Sequence, residues 1–87
     1  MILAPLATGS VLDEVRDIVR AVLDDPDLAI TPDTVAADVP GWDSMAHIAL
    51  VVEAECRFGI TFRTTEIEAL RRVGDLVRLI EAKRRRF

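Results

Sequence analysis

The chain has 87 residues, of which 51% are hydrophobic and 30% are charged. This composition predicts one small globular domain rather than a disordered chain. A core of this size is small, so we expect no large catalytic cleft. The single cysteine excludes an intramolecular disulfide and agrees with a reducing compartment, so we expect a cytoplasmic protein.

Charge is distributed unevenly along the chain. Residues 1–56 carry 11 acidic and 2 basic side chains, whereas residues 57–87 carry 4 acidic and 9 basic ones. An acidic body argues against general nucleic-acid binding, which requires clustered cations. The apolar runs, such as residues 48–52, are far too short to cross a membrane. We therefore expect neither nucleic acid nor a membrane as a partner.

The first predicted element is a helix over residues 10–24, after a loose arm at residues 1–9. Ser10 is a typical N-cap residue, and the apolar residues that follow it recur at helical spacing. Arg16 and Arg20 lie on the opposite face of this helix, where we expect solvent. The helix must stop before Pro26, because proline cannot continue it.

A long connection, residues 25–43, follows the first helix. It is longer than most loops in compact domains, and long ordered loops often carry function. Four apolar side chains are expected to pin it to the helices: Leu28, Ile30, Val35 and Val39.

Three further helices are predicted after this connection. The second spans about residues 44–57, and Gly59 ends it. A short third helix over residues 65–70 is indicated by Thr65 and Glu68, which have the spacing of a capping box.

The last helix begins near Val73 and completes a domain over residues 10–82, with a basic tail at residues 83–87. No segment of four to eight residues alternates in the manner of a strand. The predicted fold is therefore all-α, a small four-helix bundle of three main helices and one short helix.

The second helix is too apolar for an ordinary surface helix. At about 100° per residue, its apolar side chains form two separate stripes, one with Leu50, Val51, Ala54 and Phe58 and the other with Met45, Ile48 and Val52. A small bundle normally buries one stripe of each helix. We expect the second stripe to be exposed and to serve as a partner surface. The alternative is that the long connection covers both stripes.

Ser44 lies between the two stripes, in the first turn of the second helix. Unpaired backbone N–H groups and the positive end of the helix dipole favour an anion there, so a phosphate ester on this serine would be well placed. The alternative is that Ser44 is only an N-cap.

A third interpretation of Ser44, as the nucleophile of a small hydrolase, has little support. His47 lies one turn further along the helix, but Asp43 is adjacent to the serine rather than beyond the histidine, and no oxyanion-hole motif is present. We expect no catalytic residue and a half-buried, packing role for His47. Cys56 is too far along the helix to form a metal site with His47, and no metal is expected.

Three segments together resemble the acyl carrier protein family. They are PGWDSMAHI at residues 40–48, ECRFGI at 55–60 and VGDLVRLI at 73–80. The resemblance extends over about residues 10–82. It implies that Ser44 receives 4′-phosphopantetheine from coenzyme A through a separate phosphopantetheinyl transferase. The thiol of the arm then carries acyl or aminoacyl groups as thioesters from an acyl-loading enzyme to downstream biosynthetic enzymes.

The resemblance also implies a partner surface and a kind of pathway. The expected partner-binding residues are Asp43, Met45, Ile48, Val52 and Glu55. Fatty-acid carriers have more carboxylates along this helix, where this chain has Ala46, Ala49 and Cys56. The segment GWDS at residues 41–44 also resembles stand-alone carriers of specialised pathways more than peptidyl carriers. We therefore expect a stand-alone carrier of a polyketide-like or other specialised pathway, and a monomer. The alternative is an unmodified carrier-like module that docks partners through the apolar stripe alone.

Overall fold

The computed structural model describes residues 10–84. In this range the chain forms four α-helices: α1 (Val11–Val22), α2 (Ser44–Phe58), α3 (Thr64–Ala69) and α4 (Val73–Arg84). Residues 10–84 contain no β-strand, and a single isolated bridge joins Val35 to Arg72. The predicted all-α bundle of three main helices and one short helix is confirmed. The arm at residues 1–9 and the tail residues 85–87 lie outside the described residues.

Helix α1 begins directly after its predicted N-cap, Ser10, and ends two residues before the predicted end at residue 24. The hydroxyl of Ser10 accepts a hydrogen bond from the backbone N–H of Asp13 at 3.1 Å, which satisfies one of the unpaired donors at the helix start. After the helix, Asp24 adopts a positive φ of 54°, a conformation that aspartate tolerates better than most residues. Pro26 then prevents the helix from resuming.

The core lies between α1, α2 and α4. Each helix buries one stripe of side chains that are at most 3% exposed: Val15, Ile18 and Val19 from α1, Leu50, Val51 and Ala54 from α2, and Val73, Leu76 and Ile80 from α4. The apolar spacing of 3 and 4 residues in the sequence is the cause, because it places these side chains on one face of each helix.

Two arginines of α1 hold the long connection against the bundle. The Arg16 side chain donates to the carbonyl oxygen of Ile30 at 3.2 Å, and the Arg20 side chain donates to that of Leu28 at 2.9 Å. Both arginines are half-buried, so the expectation that they face solvent is wrong. Their long side chains bend back to satisfy loop carbonyls that would otherwise lack partners. Ile30 is 3% exposed, as expected of a residue that pins the loop.

The second half of the connection is joined to the start of α4. A 3₁₀ turn forms at Ala36–Asp38. Three backbone N–H groups donate across the junction at 2.8–3.0 Å: Ala36 to Arg71, Val73 to Thr34 and Gly74 to Pro32. A Cβ atom at position 74 would lie 2.9 Å from the Pro32 oxygen, so only glycine permits this approach.

The capping box predicted at Thr65 and Glu68 is wrong. Helix α3 begins one residue earlier, at Thr64, and the Glu66 carboxylate accepts the backbone N–H of Arg63 at 2.8 Å. An arginine side chain has no acceptor to return the bond. Only the glutamate half of a capping box is therefore present.

Helix α4 extends through Arg84, two residues beyond the expected end of the domain. The Lys83 ammonium binds the Glu66 carboxylate at 2.9 Å and lies 5.7 Å from the ring centroid of Phe62. The Arg84 guanidinium lies 5.5 Å from the centroid of Phe58. These cation–π contacts and the ion pair fasten the last turn of α4 to the bundle.

Two carboxylates cap helices through backbone donors. The backbone N–H of Arg63 and the Lys83 ammonium hold the pKa of Glu66 below its ordinary value. Asp75 accepts the backbone N–H groups of Arg72 and Arg71 at 3.0 and 3.1 Å, and these bonds lower its pKa. Both carboxylates are therefore favoured in their ionised form when the chain is folded.

Acidification is expected to destabilise the fold through Glu66 and Asp75. Their ordinary pKa values are 4.5 and 3.8, and both are lowered in the folded chain. Their stabilising contribution is therefore complete above about pH 4.5 and is lost as the pH falls through each lowered pKa. Urea unfolding between about pH 6 and about pH 2 measures this loss. The double variant Glu66→Gln, Asp75→Asn should lose less stability on acidification than the wild type.

The matched control is Glu81→Gln, which neutralises an exposed carboxylate on α4. Glu81 forms no ion pair with any other residue in the range 10–84. Its variant should keep the acid sensitivity of the wild type. An equally steep acid-induced loss in the double variant would contradict the role given to the two caps.

Candidate functional site

Ser44 is the first residue of α2, and its side chain is exposed. The N-cap is Asp43, whose carboxylate accepts the N–H of Ala46 at 2.8 Å and whose carbonyl oxygen accepts the N–H of His47 at 2.9 Å. The interpretation of Ser44 as only an N-cap is therefore wrong, because Asp43 performs that task. The serine hydroxyl is left accessible beside the positive end of the helix dipole.

The segment before Ser44 is a tight turn that leads the chain into α2. Gly41 adopts a φ of +86°, which a side chain would strain. The N–H of Trp42 donates to the carbonyl oxygen of Val39 at 3.1 Å, and the Trp42 side chain is half-buried against the core. This packing fixes the direction in which the helix begins.

A stripe of large apolar side chains is exposed along α2. Met45 is 80% exposed, Ile48 53% and Val52 50%. The predicted exposure of this second stripe is confirmed, and the long connection does not cover it. A contiguous exposed apolar surface on a small domain is typical of an interaction site. We call Met45, Ile48 and Val52 the docking stripe.

A groove of about 580 Å³ opens beside Ser44. Its walls come from three parts of the chain: Ser44 and Ile48 on α2, Val35 and Ala36 in the connection, and Ile67 and Leu70 at α3. Charged side chains at the groove are Asp43, Glu68 and Arg71. The volume lies within the range of small-molecule sites. The sequence did not indicate this groove, because its walls are far apart along the chain.

His47 is half-buried, as expected, and both of its ring nitrogens have partners. Its Nδ1 accepts the indole N–H of Trp42 at 3.1 Å, and its Nε2 lies 3.3 Å from the carbonyl oxygen of Ile67. The Asp43 carboxylate is bonded to a backbone N–H instead of the imidazole. The three side chains therefore do not form a nucleophile–base–acid triad.

The remaining candidate residues of α2 lie outside the groove. The carboxylate of Glu55 accepts the backbone N–H of Phe62 at 2.8 Å and is half-buried, so it already holds the loop after α2. Glu53 pairs with Arg57 at 3.7 Å. Cys56 is exposed. Residues 10–84 contain no cluster of His, Cys, Asp and Glu side chains that could hold a metal ion.

None of the helices within residues 10–84 is both long and apolar enough to cross a membrane.

The chain is similar to a known protein family and to solved structures of other proteins. Residues 13–80 match the family model described as "Phosphopantetheine attachment site". A solution structure of a holo acyl carrier protein from Geobacter metallireducens superimposes with a TM-score of 0.81 and 38% identity, covering 87% of each chain. A putative acyl carrier protein from Mycobacterium tuberculosis superimposes with a TM-score of 0.78 over 84% of this chain and 97% of that one. At 23% identity, this second likeness concerns the fold alone.

Proposed function

Because the chain belongs to the phosphopantetheine-attachment family, whose acyl carrier proteins are carriers and not enzymes, we propose that Ser44 bears its 4′-phosphopantetheine arm. The arm holds acyl or aminoacyl groups as thioesters and delivers them to biosynthetic enzymes. The observation that carries this proposal is the exposed hydroxyl of Ser44 at the start of α2, left free because Asp43 is the cap.

The surroundings of Ser44 suit a phosphodiester. The first N–H groups of α2, those of Ser44 and Met45, have no acceptor within the helix, and the dipole favours negative charge at this end. The groove beside Ser44 has apolar walls of Ile48, Ile67 and Leu70, against which the organic part of an arm can lie.

Attachment needs no catalytic group from this chain. The Ser44 oxygen loses its proton and forms a new bond to phosphorus, while the pyrophosphate bond of coenzyme A breaks and its nucleotide half leaves. A phosphopantetheinyl transferase performs this step. The chain supplies an accessible hydroxyl and a rigid helix start that presents it.

We assign partner recognition to the docking stripe, with Asp43 and Glu55 at its borders. Its exposed side chains begin next to Ser44 and continue along α2, so an enzyme that binds them also meets the cargo. Tethered cargo then has a high effective concentration at the docked enzyme. Glu55 contributes mainly through the loop it holds, since its carboxylate is already bonded to Phe62.

The side chains of α2 favour a carrier of a polyketide-like or other specialised pathway, which we propose to be cytoplasmic and monomeric. Ala46, Ala49 and Cys56 stand where further carboxylates would strengthen steering toward basic partner enzymes. The weak charge of α2 leaves apolar contact as the main source of affinity.

Intact-mass measurement tests this proposal. The wild type, incubated with coenzyme A and a broad-specificity phosphopantetheinyl transferase, should gain the mass of one arm. Ser44→Ala should gain none. The matched control is Ser10→Ala, which removes the only other serine of the chain and should still gain one arm.

Two outcomes would contradict the proposal. One is a wild type that gains no arm with several transferases; partner binding through the docking stripe by that protein would then favour the unmodified module. The other is a Ser44→Ala variant that gains the arm as the wild type does.

A further inference from the structure

A chain of two hydrogen bonds crosses the base of the groove. The indole Nε1–H of Trp42 donates to Nδ1 of His47 at 3.1 Å, and Nε2 of His47 lies 3.3 Å from the carbonyl oxygen of Ile67. A ring nitrogen that accepts a hydrogen bond carries no proton, so the imidazole is neutral and its proton is on Nε2. That Nε2–H donates to Ile67.

The three residues belong to three separate segments. Trp42 lies in the turn before α2, His47 in the first turns of α2 and Ile67 near the end of α3. All three line the groove together with Ser44. The Ile67 carbonyl oxygen also accepts the backbone N–H of Leu70 at 3.3 Å, so the imidazole is its second partner. A helix of six residues gains little stability from its own hydrogen bonds, and the contact with His47 helps to tie α3 to α2.

We propose that His47 is a positioning residue for the attachment site. Its neutral imidazole holds Trp42 and α3 in fixed places relative to Ser44, and it thereby sets the shape of the groove that the transferase and the arm meet. Without an acceptor at Nδ1, the bond from Trp42 is lost and the groove loosens. The functional part of this inference rests on the proposed role of Ser44.

The charged groups near His47 do not by themselves explain its hydrogen bonds with Trp42 and Ile67. Asp43 on α2 and Glu68 on α3 line the groove, and both are acidic. Arg71 and Arg72, at the α3–α4 junction, line a smaller cleft with His47. Charges of both signs line these two cavities. The proposal therefore depends on the hydrogen-bond acceptor at Nδ1 and not on the net charge near the ring.

The chain contains one tryptophan and one histidine, so a single indole N–H signal in an ¹H–¹⁵N spectrum reports on this bond. Removal of the acceptor at position 47 should displace this signal. His47→Asn keeps an acceptor near Nδ1, so its indole signal should stay near the wild-type position.

A second variant and a control separate this role from simple packing. His47→Gln places its amide near Nε2 and leaves Trp42 without an acceptor, so its indole signal should be displaced. Glu53→Gln, an exposed position on the same helix, should keep the wild-type indole signal. A His47→Gln indole signal at the wild-type position, or an equal displacement in Glu53→Gln, would overturn the inference.

Arm attachment supplies the functional readout. The rate for each variant is divided by the wild-type rate at the same pH, which cancels the transferase's own pH profile. At about pH 8, His47→Gln, which loses the bond from Trp42, and His47→Asn, which loses the bond to Ile67, should each load about fivefold more slowly, the effect of about one lost hydrogen bond. Equal rates for all three would overturn the positioning role. A wild type that accepts no arm refutes the function of Ser44, while the indole signals of the variants still decide whether the hydrogen-bonded link exists.

Discussion

Replacing Leu50 with alanine is expected to lower the free energy of unfolding by about 2–5 kcal/mol. Leu50 is 1% exposed and lies at the centre of the core, where α2 faces α1 and α4. Truncation removes the transfer free energy of its buried methyl groups and leaves a cavity that the neighbouring helices cannot fully close. A domain of this size has little stability to spare, so the loss is a large fraction of the total. Urea unfolding followed by circular dichroism measures it.

The matched variant is Ile48→Ala on the same helix. Ile48 is 53% exposed, so its truncation should change the free energy of unfolding by no more than about 0.5 kcal/mol. Equal destabilisation by the two variants would contradict the assignment of one buried and one exposed stripe to α2.

The second large effect concerns function. Ile48→Asp should lower kcat/KM for arm attachment at least about tenfold, which corresponds to about 1.4 kcal/mol of lost interaction. Ile48 is in the middle of the docking stripe and also lines the groove beside Ser44. A carboxylate there must be desolvated when an apolar partner surface docks. The fold should be kept, because the side chain is not part of the core.

Ala82→Asp is the control for this variant. It adds the same charge at an exposed position of α4, away from the groove, and should leave kcat/KM close to that of the wild type. Comparable losses for both variants would show that net charge, and not the docking stripe, governs recognition.

Local physical chemistry explains why much of the fold could be predicted. Ser10, Pro26 and Gly59 mark helix ends through capping, ring geometry and positive φ, and each acts within a few residues of its own position. The two stripes of α2 follow from angular spacing alone. Ser44 could be singled out because a helix start, an apolar stripe and a family resemblance coincide there.

The features that the sequence did not reveal depend on distant contacts. Arg16 turns to the connection because carbonyls 14 residues further along the chain need donors. His47 was expected only to pack, since its partner Ile67 lies 20 residues away. Gly74 gave no local signal either, because its role comes from the close approach of Pro32.

Peptide mapping of the loaded protein tests most directly whether Ser44 itself carries the arm. Trypsin cleavage after Arg20 and Arg57 releases residues 21–57. Besides Ser44, this peptide contains three side chains with a hydroxyl or thiol group: Thr31, Thr34 and Cys56. Fragment-ion spectra of this peptide should place the whole added mass on Ser44. Added mass on either threonine, on the cysteine or on another peptide would contradict the claim.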